Sequence, residues 1–150
     1  MAIDISGEAF LPAKKALVWE MLNDTDTLRA CIPGCESLEK TSEGGFAAVA
    51  SVKIGPVKAR FKGSVKLEDM DPPNSYRIVG AGEGGVAGFA EGGARVRLEV
   101  SDGGTILKYE AEAKVGGKLA QIGNRLVGGV AKKMADQFFA NFADAVSERA

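Results

Sequence analysis

Residues 76–85 read Tyr-Arg-Ile-Val-Gly-Ala-Gly-Glu-Gly-Gly, and Glu99 follows. Glycines at Gly80, Gly82 and Gly85 after a short apolar strand, with an acid about 20 residues on, have the spacing of a dinucleotide-binding turn. That chemistry needs the third glycine to open a crossover helix that leads to a parallel, buried strand. Only eight residues separate Gly85 from Ala94, and Gly88, Gly92 and Gly93 are among them. The strand that follows, Ala-Arg-Val-Arg-Leu-Glu-Val, alternates with charges, as an antiparallel strand with one wet face does. No nucleotide site is expected. The glycines are expected to bend a sheet or to let something approach it closely.

Cys31 and Cys35 frame Ile-Pro-Gly, with three residues between the thiols rather than the two of a thioredoxin-like pair. No second ligand pair completes a tetrahedral zinc site, so two thiols beside a Pro33-Gly34 turn are expected, and no metal. Glu83 and Glu91 flank the glycine-rich stretch and are the carboxylates available for acid/base work. Solvated turn residues are the plainer account of them. The chain has no histidine, which removes Ser-His-Asp and Cys-His nucleophiles, histidine metal sites and histidine proton shuttles together. No catalytic residue is assigned.

The elements that would position these groups are legible from periodicity. Ala2 to Phe10 reads as a strand, Pro12 suits a helix start, and Asp24 is a good N-cap for a second short helix to about Ala30. A period of two then governs 46–54, 57–68, 94–101 and 105–115, broken by Gly44-Gly45, Gly55-Pro56, Pro72-Pro73-Asn74 and Asp102-Gly103. From Gly117 to the end the period is helical: Leu119, Ile122, Leu126, Val130, Met134, Phe138, Phe142 and Val146 form one stripe. This order predicts an α+β fold in one domain, 1–150. A curved antiparallel sheet wraps a long C-terminal helix, and two short helices follow the first strand.

Many inward positions of that sheet are small. A curved sheet with small inner residues, closed by a helix, encloses space; the alternative is that Phe and Leu side chains fill it. The residues expected to line a cavity are Ala48, Phe61, Gly63, Ile78, Gly80, Gly82, Val96, Leu98, Leu107 and Tyr109 from the sheet. Leu126, Val130 and Met134 would join them from the long helix. Cys31, Pro33, Gly34, Cys35 and Phe89 would stand at the mouth. Filling Gly63 with Phe is expected to block the space.

With 19 basic and 20 acidic residues the net charge is −1, and no basic domain with aromatic platforms exists for nucleic acid. The row Lys58, Arg60, Lys62, Lys66 is expected to be solvated or to pair across the sheet with acids such as Glu110 and Glu112. The start carries acids and no basic n-region, and no apolar run approaches the roughly 18 residues of a membrane span. A cytoplasmic location is expected, with at most transient contact at the inner membrane face.

Three stretches carry a family resemblance: LNDTDTLRACIPGCESLE (22–39), VKIGPVKARFKGSVKLEDMDPPNSYRIVGAGEGG (52–85) and GTILKYEAEAKVGGKLAQIGNRLV (104–127). Across essentially the whole chain the sequence resembles the CoxG family, the G subunit of carbon monoxide dehydrogenase, in the START-like, helix-grip (SRPBCC) superfamily. The resemblance implies a non-catalytic accessory protein working with molybdenum hydroxylase subunits and linking them to the membrane and its quinone pool. It also implies a cavity for an apolar small molecule, such as a prenyl-quinone or another lipid, with no tightly bound cofactor. The competing readings are a cyclase- or hydratase-type enzyme using pocket carboxylates, and an assembly factor with no ligand.

Overall fold

A computed structural model describes all 150 residues, Met1–Ala150. Strand β1 (Ala2–Leu11) leads into helices α1 (Lys15–Leu22) and α2 (Thr25–Cys31). The strands β2 (Cys35–Lys40), β3 (Phe46–Ile54), β4 (Val57–Asp71), β5 (Ser75–Glu83), β6 (Phe89–Ser101) and β7 (Gly104–Gly116) follow. Helices α3 (Lys118–Ile122) and α4 (Asn124–Arg149) end the chain. The seven strands make one antiparallel sheet in the order β1-β7-β6-β5-β4-β3-β2. Consecutive hairpins build it, and only the placing of β1 beside β7 is non-local. The short helices after β1 carry the chain across to β2 at the opposite edge.

Local sequence explains the element ends. Asp24 caps α2, its carboxylate accepting from the Thr27 backbone N–H at 3.1 Å, and Gly34, Gly44, Gly55 and Gly103 supply the positive φ their turns need. Residues 84–88 hold a single 3-10 turn, Gly85–Ala87, and β5 and β6 on either side pair directly as a hairpin. There is no crossover helix and no parallel strand, so the glycine spacing forms no dinucleotide turn.

The glycines serve curvature. Gly63 lies opposite Gly82, and Gly80 opposite Gly92. A Cβ on Gly92 would stand 2.0 Å from the Glu112 carbonyl oxygen, and one on Gly63 would stand 2.7 Å from that of Ala81. Side chains are excluded there because neighbouring strands bend into each other's backbone.

The sheet curls around α4, whose buried residues are Val127, Phe142 and Val146. Two packed clusters result. The larger gathers Leu11, Val18, Met21, Leu98, Leu107, Phe142 and Val146 where α1, α2 and the end of α4 meet the sheet. The smaller holds Ile54, Val115, Leu119 and Val127. Only 22 of 150 residues are buried, and alanines and glycines occupy much of the concave face between the clusters.

Two expectations about the elements need correction. The C-terminal helix is broken: Gly123, at φ 103° and ψ 154°, separates α3 from α4. The basic row on β4 does not reach Glu110 or Glu112, since β4 neighbours β3 and β5 while those acids lie on β7. Arg60 instead meets Glu36 on β2 at 3.1 Å and Lys66 meets Glu43 at 3.9 Å. Such exposed pairs contribute well under about 1 kcal/mol each.

Candidate functional site: an apolar cavity between sheet and helix

Inward side chains of the strands and one face of α4 enclose a partly open cavity of about 650 Å³. The volume lies within the range of about 300 to 1,000 Å³ common for small-molecule sites. Of its 32 lining residues, 24 are hydrophobic, which points the site at an apolar guest. The floor is small: Ala48 and Ala50 on β3, Gly63 on β4, Gly80 and Gly82 on β5, Ala94 on β6, Ala111 and Ala113 on β7. Larger side chains form the sides, with Ile5, Phe46, Phe61, Leu67, Ile78, Val96 and Leu107 from the sheet and Ala135, Phe138 and Phe139 from α4. Leu22, Leu28 and Ile32 close one end from α1, α2 and the α2–β2 connection. Ser64, Glu91 and Glu112 also border the space. Alternation assigns their side chains to the convex face, so they border it through backbone.

Two tyrosines complete the wall. Tyr76 on β5 is 5% exposed, packs edge-on to Trp19 of α1 with ring centroids 5.2 Å apart, and has its phenol pushed far up by burial. Tyr109 on β7 stacks on Phe139 with centroids 5.0 Å apart. Its oxygen accepts a hydrogen bond from Lys132 Nζ at 3.2 Å, and Asp136 holds that ammonium at 2.8 Å.

Of the thirteen residues expected to line the cavity, nine do: Ala48, Phe61, Gly63, Ile78, Gly80, Gly82, Val96, Leu107 and Tyr109. Leu98 does not; it is 2% exposed and packed into the larger cluster. Leu126, Val130 and Met134 are also absent from the wall. Leu126 is 42% exposed, and with Val130 it borders a separate surface recess. The cause is the helix period: α4 is unbroken from Asn124 to Arg149, and steps of four residues drift by about 40° each. A stripe facing inward at Phe142 and Val146 has therefore turned outward by Leu126, and Val127 faces inward instead. Ala135, Phe138 and Phe139 take the helix's place in the wall. Phe138 lies on the predicted stripe, but its role at the cavity was not foreseen.

The expected mouth also differs. Cys31 is buried at 2% exposure inside the larger cluster, and its carbonyl accepts from Asn141 Nδ2 at 2.9 Å, tying α2 to α4. Pro33, Gly34 and Cys35 do not border the cavity, where Leu28 and Ile32 stand instead. Phe89 is 51% exposed; it points to the convex side and lies against Gly116. Burial raises the pKa of both cysteines, so they stay thiols. Neither forms a disulfide, and no cluster of three or more Cys, Asp or Glu could hold a metal ion. Glu83 and Glu91 are exposed and sit opposite Lys62 and Lys114 across the sheet.

A curved seven-stranded antiparallel sheet gripping a C-terminal helix over an apolar cavity is the START-like, helix-grip fold. Solved structures agree. A conserved protein from Geobacillus kaustophilus is similar at 31% identity and a TM-score of 0.89, over 97% of this chain and 96% of that one. The Zhui aromatase/cyclase from Streptomyces sp. R1128 has a TM-score of 0.72 at 13% identity, over 99% and 96%. A START superfamily protein from Mycobacterium smegmatis has 0.71 at 12%, over 98% and 99%. Within that class the assignment is narrower. Residues 7–147 match the CoxG family, described as the G subunit of carbon monoxide dehydrogenase, and the chain belongs to it. No curated protein sequence matches.

Proposed function

We propose that this protein is a non-catalytic accessory protein that holds an apolar small molecule, a prenyl-quinone or another lipid, between sheet and helix. We further propose that it assists a molybdenum hydroxylase of the carbon monoxide dehydrogenase type. The observation that carries the first part is the cavity: about 650 Å³, lined mainly by hydrophobic residues, with no carboxylate at an inward strand position. The second part rests on the family's name, that of a carbon monoxide dehydrogenase component. The Zhui aromatase/cyclase puts an enzyme on this fold, but the acids that reading would recruit here, Glu83 and Glu91, are exposed.

No helix is long and apolar enough to cross a membrane. Contact with a bilayer would run through the end formed by the β3–β4 hairpin, the 3-10 turn and the start of α4. Val86 is 83% exposed there, and Phe89 and Leu126 are also exposed. Lys53, Lys58, Lys118 and Arg125 are exposed among them, and none makes an ion pair. This apolar tip with basic neighbours suits a weak, salt-sensitive contact with an anionic surface.

Native mass spectrometry and solvent extraction of the purified protein test the ligand. The expected result is an apolar molecule bound one to one. A ligand-free protein that nevertheless binds the hydroxylase tightly would replace this reading with that of an assembly factor.

A further inference from the structure

If the cavity holds an apolar guest, as proposed above, its few polar groups set what that guest must carry. Among the residues that line the cavity, alternation leaves two polar side chains facing inward, Tyr76 and Tyr109, and these are the chain's only tyrosines. Thr105, also inward, is taken up by the Ala13 carbonyl outside the cavity. They stand in one row. Tyr76 lies opposite Val96, and Val96 opposite Tyr109, so two strand spacings of about 4.8 Å separate their backbones.

Tyr76 is 5% exposed, and its hydroxyl makes no hydrogen bond within the protein; desolvation alone acts on it. The hydroxyl is not sealed off, since Arg77 Nε is the one fully buried side-chain polar atom without a partner; it keeps a little accessible surface and is free to pair with a guest. Burial keeps this phenol protonated and therefore a donor. Tyr109 is arranged differently. Lys132 Nζ occupies a lone pair of its oxygen at 3.2 Å, which polarises the O–H and leaves the proton without a protein acceptor. Gly7 on β1 makes room for this group, since a Cβ there would stand 3.0 Å from the hydroxyl oxygen. The polar equipment of an otherwise apolar cavity is thus two hydroxyls: that of Tyr76 is unbonded, and that of Tyr109 carries a free proton beside an ammonium.

We infer that Tyr76 and Tyr109 are the specificity-determining donors of this cavity, and that its guest is an apolar molecule carrying a hydrogen-bond-accepting carbonyl oxygen. A plain hydrocarbon leaves both protons unpaired, and a cationic amine at Tyr109 would face the Lys132 ammonium.

The test uses two probes of nearly the same shape, 2-acetylnaphthalene and 2-isopropenylnaphthalene, which differ in C=O against C=CH2. Binding is followed through Trp19, the single tryptophan, which lies against the Tyr76 ring. The quantity read is the ratio of the two affinities in wild type, Tyr76→Phe, Tyr109→Phe and the double variant. The ratio is expected to fall about tenfold from wild type to double variant through loss of ketone binding. Alkene binding should stay within about twofold. A ratio unchanged in the double variant while the alkene still binds overturns this inference and leaves the cavity reading standing. Binding of neither probe to wild type overturns both.

Discussion

Asp24 accepts from the Thr27 hydroxyl at 2.5 Å and from the Thr27 backbone N–H at 3.1 Å, and these two bonds hold its carboxyl below the ordinary aspartate range. The folded-state pKa is depressed, so the stabilisation is present above the unfolded value and is lost as pH falls through the folded one. Asp24→Ala should cost about 1 kcal/mol at neutral pH. The gap between variant and wild type in thermal melts should close as pH drops below about 4; a gap that does not depend on pH would show that the cap is not the cause. Asp24 was legible because a cap is a local pattern. Gly63 was not. Its sequence position suggests spare room, yet the backbone of Ala81 and Gly82 fills the place of a side chain, so Gly63→Phe would distort the sheet instead of plugging the cavity. Close approach between strands is a property of curvature, which no single residue spells.

At the scale of elements, β3, β4, β6 and β7 were readable because one wet face keeps apolar and polar residues alternating. β2 (Cys35–Lys40) was missed. It is an edge strand with a register shift between Cys35 and Ser37 and a single buried residue, Leu38, so β3 defines it more than its own pattern does. The helix phase was misread because the apolar residues from Leu126 to Val146 step by four, which drifts about 40° per step around the helix. The break at Gly123 was hidden because apolar residues recur on both sides of it. Gly123→Ala places a side chain at φ 103° and ψ 154°, a region that costs roughly 1 to 3 kcal/mol for other residues. Gly129 is helical and exposed, with nothing within 4 Å of where a Cβ would stand, so Gly129→Ala should stabilise by about 1 kcal/mol. Urea melts of the pair should therefore move in opposite directions. If both variants gain stability, α3 and α4 are one helix in solution.

For the whole molecule, one arrangement explains both the small buried core and the cavity: two packed clusters hold the ends while a band of alanine and glycine lets the sheet curve around α4. The exposed tip with Val86, Phe89 and Leu126 belongs to this scale too. Each lysine or arginine near an anionic surface contributes about 1 kcal/mol, and salt screens it. The protein should sediment with phosphatidylglycerol vesicles at low salt and be released as salt rises. Val86→Asp should weaken sedimentation, whereas binding unaffected by either change would remove the tip from the account. The central claim is that the cavity takes an apolar guest. Titration with the neutral dye N-phenyl-1-naphthylamine tests it most directly, on wild type and on Ala94→Phe, which places a ring at an inward position of the cavity floor. The account predicts saturable, one-to-one fluorescence enhancement in wild type, and its loss in a variant that keeps its cooperative thermal unfolding. No saturable binding in wild type, or equal binding by the folded variant, would contradict it.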